Sequence, residues 1–138
     1  MITNLRIKYL LIFQCLLLIS CSDNSKELKF LICNDSIEYW DYNMIRQTQN
    51  VWFTYSFDKN GTVRKYSFNK GKNKRWLFSD YGYQKEFKWE VKKDSIFTFM
   101  GTNQRIIKIS KDTLLTYNLE DKKFEEYIRV KGNLNIQD

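Results

Sequence analysis

Short segments in which apolar and polar residues alternate, separated by turns, restrict the fold of this chain more than any other feature. Residues 87–91 read Phe-Lys-Trp-Glu-Val, and residues 51–57 follow the same period of two. That period is typical of a half-buried β-strand. Asn60-Gly61, just after the second segment, is a strong hairpin signal. The sequence therefore predicts an antiparallel hairpin here.

Turn signals recur along the rest of the chain, and the segments between them are rich in aromatic and β-branched residues, which favour strands. Segment 36–42 fits either a strand or an irregular stretch. We predict loops at 44–50, 69–74 and 80–85 and a frayed tail at 131–138. We predict strands at 30–33, 51–57, 62–68, 75–79, 87–92, 95–100, 105–110, 113–119 and 124–130. The predicted fold class is all-β, an antiparallel up-and-down meander of about 8–9 strands that forms a closed barrel or a strongly curved sheet.

The side chains expected to point into this barrel are large: Phe53, Tyr55, Phe57, Trp89 and Phe97. Tyr66 and Phe68 have the parity of the same apolar face and are expected to share it. A barrel of eight strands has an interior that holds either side chains or one small ligand. Large inward residues favour a filled interior over a hollow one.

The N-terminal segment is predicted to be a targeting signal rather than part of the folded domain. Arg6 and Lys8 precede an uncharged, mostly apolar run at 9–19, which is shorter than the roughly 20 residues of a spanning helix and fits a signal peptide. Leu18-Ile19-Ser20-Cys21 then resembles the lipobox of bacterial lipoproteins. A secretory signal cut elsewhere and an uncleaved anchor helix are the alternatives.

The lipobox resemblance implies cleavage before Cys21 and lipidation of that cysteine. Acyl chains such as palmitate would then hold the protein to a membrane of the bacterial cell envelope, because two or more chains anchor stably. We expect the outer membrane in preference to the inner. The expected domains are a signal peptide at 1–20, the lipidated cysteine and a tether at 21–29, and a single β domain at 30–138.

A second resemblance concerns residues 36–130. The strand with its Asn-Gly turn, the strand around Trp89, and the Lys-Asp turns at 93–94 and 111–112 are similar to the small lipocalin-like lipoproteins of Bacteroidota. This resemblance implies a lipocalin-like barrel.

Composition narrows the classes of function. The formal charge is +7, or +5 once Arg6 and Lys8 are removed, but acidic residues are interleaved with the lysines, as on a solvated surface. We therefore expect no nucleic-acid partner. The chain has no histidine, the commonest metal ligand and general base. We predict no metal, no cofactor and no enzymatic activity.

Candidate catalytic residues have simpler structural explanations. Cys33, in an apolar run, is expected to be a buried structural thiol. Glu125 and Glu126 are adjacent on a predicted strand and must point to opposite faces, so they cannot converge on a substrate. Asp58 begins a hairpin turn that lacks the later acidic ligands of a calcium loop.

Three aromatic residues are the candidate binding residues. Trp52 alternates with the apolar residues of its strand and so shares a face with the polar Thr54 and Ser56. An exposed Trp is a common contact residue in interfaces. Tyr81 and Tyr83 flank Gly82 in a predicted loop, and loops often carry function.

The function favoured by these features is binding. The leading hypothesis is a lipid-anchored envelope protein that binds a protein partner through its outer surface. The alternatives are a lipocalin-like carrier of a small apolar ligand and an immunity or inhibitor lipoprotein.

Overall fold

The computed structural model describes residues 23–43, 51–69, 71–78, 87–132 and 134–137. The predicted signal peptide and Cys21, the predicted loop at 44–50, and the loop that holds Tyr81 and Tyr83 lie outside the described residues. The all-β class is confirmed, since strands make up most of the described chain.

Within the described residues, one helix and ten strands follow one another. Helix α1 spans Ser25–Ile32. The strands are β1 (Ile37–Asn43), β2 (Val51–Asp58), β3 (Thr62–Asn69), β4 (Lys74–Leu77), β5 (Phe87–Lys92), β6 (Ile96–Phe99), β7 (Thr102–Ile109), β8 (Thr113–Asn118), β9 (Lys123–Arg129) and β10 (Ile136–Gln137). A 3₁₀ turn at Lys93–Ser95 joins β5 to β6.

Eight of these strands close into an antiparallel barrel. Consecutive strands pair from β5 to β9, and β9 pairs with β1. The ring closes at β3, whose first residues, Thr62 and Val63, pair with β5 while its last residues pair with β4. The short strands β4 and β10 therefore lie outside the ring, and β10 pairs with β4 in parallel. The predicted up-and-down meander is confirmed.

Aromatic rings fill the interior near one end of the barrel. Phe57 is fully buried, and its ring centroid lies 5.3–5.5 Å from those of Trp89, Phe97 and Phe99. These distances are typical of rings in direct contact. Of the five predicted large inward residues, Phe57, Trp89 and Phe97 pack against one another and Tyr55 contacts Phe57, whereas the Phe53 ring packs against Phe78. We call the end that holds this cluster, the turn at 58–61 and helix α1 the lower end, and the opposite end, with the turns at 100–101 and 119–122, the upper end.

Helix α1 closes the lower end, where the sequence predicted a strand at 30–33 and a tether up to residue 29. Both predictions are wrong, because α1 begins at Ser25 and buries Leu28 and Ile32, which lie one helical turn apart. A short apolar run does not distinguish a helix from a strand by periodicity alone. The indole Nε1 of Trp40 donates to the Ile32 carbonyl oxygen at 3.0 Å, which fixes the end of the helix to β1.

The hairpin register also corrects the prediction for Tyr66 and Phe68. Tyr66 pairs with Thr54 and Phe68 with Trp52, so both point outward, on the face opposite Phe57. Val63 takes the inward position opposite Phe57 instead. The four-residue turn sets this register, and the parity of the sequence alone does not reveal it.

Phe68, one of the outward aromatic residues, is covered by Arg75 of β4, outside the ring of eight strands. The Arg75 guanidinium lies 3.9 Å from the Phe68 ring centroid and pairs with the Asp41 carboxylate at 2.9 Å. Arg75 is buried, and its backbone nitrogen donates to the Asn135 carbonyl oxygen at 3.1 Å. The predicted frayed tail is therefore wrong for residues 135–137, which pair with β4.

Candidate functional site

A buried carboxylate lies inside the upper half of the barrel. Glu125, on β9, is only 8% exposed. One carboxylate oxygen accepts hydrogen bonds from the Tyr127 hydroxyl at 2.7 Å and from the Gln104 amide nitrogen at 2.8 Å. The other accepts from the Asn118 amide nitrogen at 3.1 Å, and the Lys123 ammonium nitrogen lies 3.6 Å away.

A second layer of hydrogen bonds orients these donors. The Thr116 hydroxyl donates to the Gln104 amide oxygen at 2.5 Å, which fixes the direction of the Gln104 side chain. Thr116 and Gln104 are both buried, and both point inward because of the register of β7 and β8. We call Gln104, Thr116, Asn118, Glu125 and Tyr127 the polar network. Its carboxylate is satisfied by the protein itself, as burial requires.

The phenols around this carboxylate stay protonated over the physiological range. Burial, and next the negative charge of Glu125, raise the pKa of Tyr42 to about 12. The same two causes raise the pKa of Tyr127. Burial also raises the pKa of Tyr55. These hydroxyl groups are therefore hydrogen-bond donors near neutral pH and poor bases or nucleophiles.

The polar network has the geometry of a structural element. Its single carboxylate has no second carboxylate beside it, and within the described ranges no group of three or more His, Cys, Asp or Glu residues converges to hold a metal ion. Glu126 points outward, as predicted for the residue next to Glu125. What the network contributes is a set of hydrogen bonds that joins β7, β8 and β9 inside the upper half of the barrel.

The outside of β7, β8 and β9 carries exposed apolar side chains. Phe124 is 64% exposed, and its ring packs against Tyr117 on the neighbouring strand, with 5.1 Å between centroids. Ile107, 49% exposed, lies in a β-bulge of β7 between Ile106 and Lys108. We call Ile107, Leu115, Tyr117, Phe124 and Ile128 the outer apolar face. Apolar clusters exposed in this way often mark protein interaction sites.

Glu126, which pairs with Leu115, lies among the side chains of the outer apolar face, and cationic residues flank that face. Arg105 pairs with Tyr117 across β7 and β8, and Lys108 pairs with Leu115. Both cations are exposed. A partner with acidic residues around an apolar centre would complement this face.

Of the predicted site residues, only Trp52 lies among the described residues. Trp52 lies on the outside of β2 opposite Phe68 and is half-buried, away from the outer apolar face. Tyr81, Tyr83 and Cys21 lie outside the described residues. Cys33 is buried as predicted, and burial raises the pKa of its thiol to about 11.

Sequence reasoning missed the polar network and the outer apolar face. The available signal was that β7, β8 and β9 carry polar residues at positions that point into the barrel. Each of these strands also carries apolar residues at inward positions, so the polar ones did not stand out. The bulge at Ile107 shifts the parity of β7, so alternation alone does not reveal that Lys108 points outward and Ile109 inward.

Comparison with protein-family models, with curated proteins and with solved structures returned no match for this chain. Among the described residues, no helix is long and apolar enough to cross a membrane.

Proposed function

We propose that this chain is a lipid-anchored binding protein of the bacterial cell envelope that recognises a protein partner through the outside of its barrel. The observation that carries the proposal is the contrast between interior and surface. Aromatic rings pack together in the lower half of the interior and the hydrogen-bonded polar network lies in the upper half, whereas the outer apolar face leaves Phe124 and Ile107 exposed. A filled eight-stranded barrel offers its binding area on its surface.

The outer apolar face suits a protein partner for two physical reasons. Aromatic side chains give a large contact area at low entropic cost and are enriched among interface hot spots. Arg105 and Lys108 at its rim would attract an acidic partner and speed association. The proposed partner is thus a protein with an apolar centre and an acidic rim.

Position-specific crosslinking in cells tests this surface. A photoreactive phenylalanine analogue at position 124 should yield one discrete adduct with a protein after irradiation. The same analogue at Lys88, which is exposed on β5, is the matched control and should yield none. Adding Ile107→Glu should remove the adduct from position 124, because a charge would enter the apolar contact. Equal crosslinking from both positions would contradict the proposal.

The anchor is tested separately. Cys21→Ala should release the protein from washed membranes into the soluble fraction, because the acyl chains that hold it would be missing. Cys33→Ala is the matched control, since Cys33 is buried in the barrel, and should leave membrane retention unchanged. Full membrane retention of Cys21→Ala would contradict the lipoprotein assignment.

A carrier of a small apolar ligand is the second candidate, and one observation favours it. Phe53, at the upper end, is half-buried, and its ring centroid lies 5.9 Å from that of Phe78, which is 41% exposed. The Lys65 ammonium nitrogen lies 3.8 Å from the Phe53 centroid and would contact any ligand there. Co-purification of a small molecule would favour this second candidate.

A further inference from the structure

A groove of about 320 Å³ lies at the lower end of the barrel. It is lined by the apolar side chains of Phe30 and Leu31, by the cations Lys111, Arg129 and Lys131, and by Asn34 and Glu38. The groove therefore combines apolar and cationic side chains. That combination matches an amphiphile whose charged group is an anion.

The cations of the groove outnumber its carboxylates. Glu38 pairs with Arg129 at 3.0 Å, and Asp112 pairs with Lys131 at 2.5 Å. Lys111 makes no ion pair with the described residues, so the groove keeps about one positive charge. The Arg129 Nε–H is buried and has no hydrogen-bond partner among the described residues.

Exposed apolar side chains surround the same end. Phe30 is 59% exposed although it belongs to the helix that closes the barrel, and Ile37, at the start of β1, is 41% exposed. An exposed apolar side chain on its own is common on protein surfaces. Here two of them lie at the end of the barrel where the chain enters the fold.

The chain before α1 limits how far this end can be from an anchor at Cys21. Three residues lie between Cys21 and Ser25, where α1 begins, so the two are four residue steps apart. Even fully extended, they span at most about 14 Å. The headgroup layer of a bilayer is itself about 5–8 Å thick on each side. A lipidated Cys21 would therefore hold α1 close to the headgroups.

We infer that the lower end of the barrel faces the membrane and that its groove binds the phosphate-bearing headgroup of a phospholipid. Phe30 enters the apolar side of the headgroup layer, and Lys111 and Lys131 face the phosphate. This inference rests on the proposed lipid anchor and adds an orientation to it. The upper end, with the turn at 119–122, then points away from the bilayer.

Fluorescence quenching on vesicles tests this orientation with the lipidated full-length product. A fluorophore is attached at Phe30→Cys or, as the matched control, at Leu119→Cys, which is 39% exposed at the upper end. Cys33 is buried and would not compete for the label. The vesicles contain phosphatidylethanolamine and phosphatidylglycerol, with or without a lipid that carries a nitroxide on its headgroup.

Because headgroup nitroxides lie within a layer of about 5–8 Å, we expect the fluorescence at position 30 to fall about twofold and that at position 119 to stay unchanged. Adding Lys111→Glu should restore most of the fluorescence at position 30, whereas Lys122→Glu, at the upper end, should not. Equal quenching at the two positions would overturn the membrane-facing orientation. Quenching at position 30 that is insensitive to Lys111→Glu would overturn the headgroup site.

Flotation of the same vesicles separates this inference from the anchor on which it rests. A protein that floats with the vesicles but shows no difference between positions 30 and 119 contradicts only the orientation. A protein that stays at the bottom of the gradient contradicts the lipid anchor, and the inference fails with it.

Discussion

The lower and upper halves of the barrel interior are filled by different chemistry. In the lower half, Phe57, Trp89, Phe97 and Phe99 pack ring against ring next to helix α1. In the upper half, the polar network surrounds one carboxylate with neutral donors. Tyr127 belongs to both, because its ring lies 6.0 Å from that of Phe99 while its hydroxyl donates to Glu125.

This difference shows how a small barrel can be filled without a ligand. Rings provide stability that is roughly proportional to the apolar area they bury. A polar network adds little net stability, but it is costly to break, because each group left without a partner keeps its desolvation penalty. The lower half should therefore tolerate changes of pH, and the upper half should not.

Removing a ring from the lower half should have the largest effect. Phe57→Ala deletes a fully buried side chain that contacts four neighbouring rings, so we expect a loss of about 3–5 kcal/mol in the free energy of unfolding. Phe124→Ala, on the outer apolar face, is the control and should change it by less than about 1 kcal/mol. Urea denaturation measures both. Similar losses for the two variants would contradict an aromatic core at this end.

Removing the carboxylate from the upper half should have a smaller effect. Glu125→Ala leaves the Gln104, Asn118 and Tyr127 donors without their acceptor, so we expect a loss of about 2–3 kcal/mol. Glu126→Ala changes the next residue, which points outward, and should cost far less. Equal stability of the Glu125→Ala variant and the parent protein would show that water replaces the carboxylate easily.

Alkaline pH should destabilise the protein through the upper half, because the buried tyrosines that titrate lie there, and should leave the ring packing of the lower half unaffected. The pKa of Tyr42 is raised to about 12 and that of Tyr127 is also raised, from an unfolded value near 10. Between these values the folded state keeps protons that the unfolded state loses, so stability should fall as the pH rises above about 10.

Replacing the hydroxyl groups tests this cause. Tyr42→Phe should flatten the dependence of the melting temperature on pH above about 10, because its phenol can no longer titrate. Tyr117→Phe, outside the barrel, is the control and should leave the dependence unchanged. An identical pH dependence in all three proteins would contradict the assignment to the upper half.

The sequence predicted the lower half better than the upper half. Alternation and the Asn60-Gly61 turn were sufficient to locate β2, β3 and β5 and the inward rings of Phe57 and Trp89, because strand period is a local property. They gave the wrong face for Tyr66 and Phe68 on β3. Helix α1 was missed because its apolar run is as short as a strand. The polar network was missed because it joins residues from three strands, and only the register brings Gln104, Thr116 and Glu125 together.

The aromatic residues on the outside of β2 and β3 also show that local sequence patterns do not reveal long-range contacts. Trp52 and Phe68 lie outward and would be exposed in a simple barrel, but Arg75 covers Phe68 from β4. Arg75 is in turn tied to the chain at Asn135, about 60 residues further along. Contacts of such long range leave no local pattern. The predicted exposure of Trp52 therefore depended on information that its own strand does not contain.

The central claim is that the barrel is filled by its own side chains and binds through its surface. Native mass spectrometry of residues 22–138, purified from cells without detergent, tests it most directly. We expect the mass of the polypeptide alone. A further mass of a few hundred daltons that disappears on denaturation would contradict the claim and show that the barrel carries a small molecule.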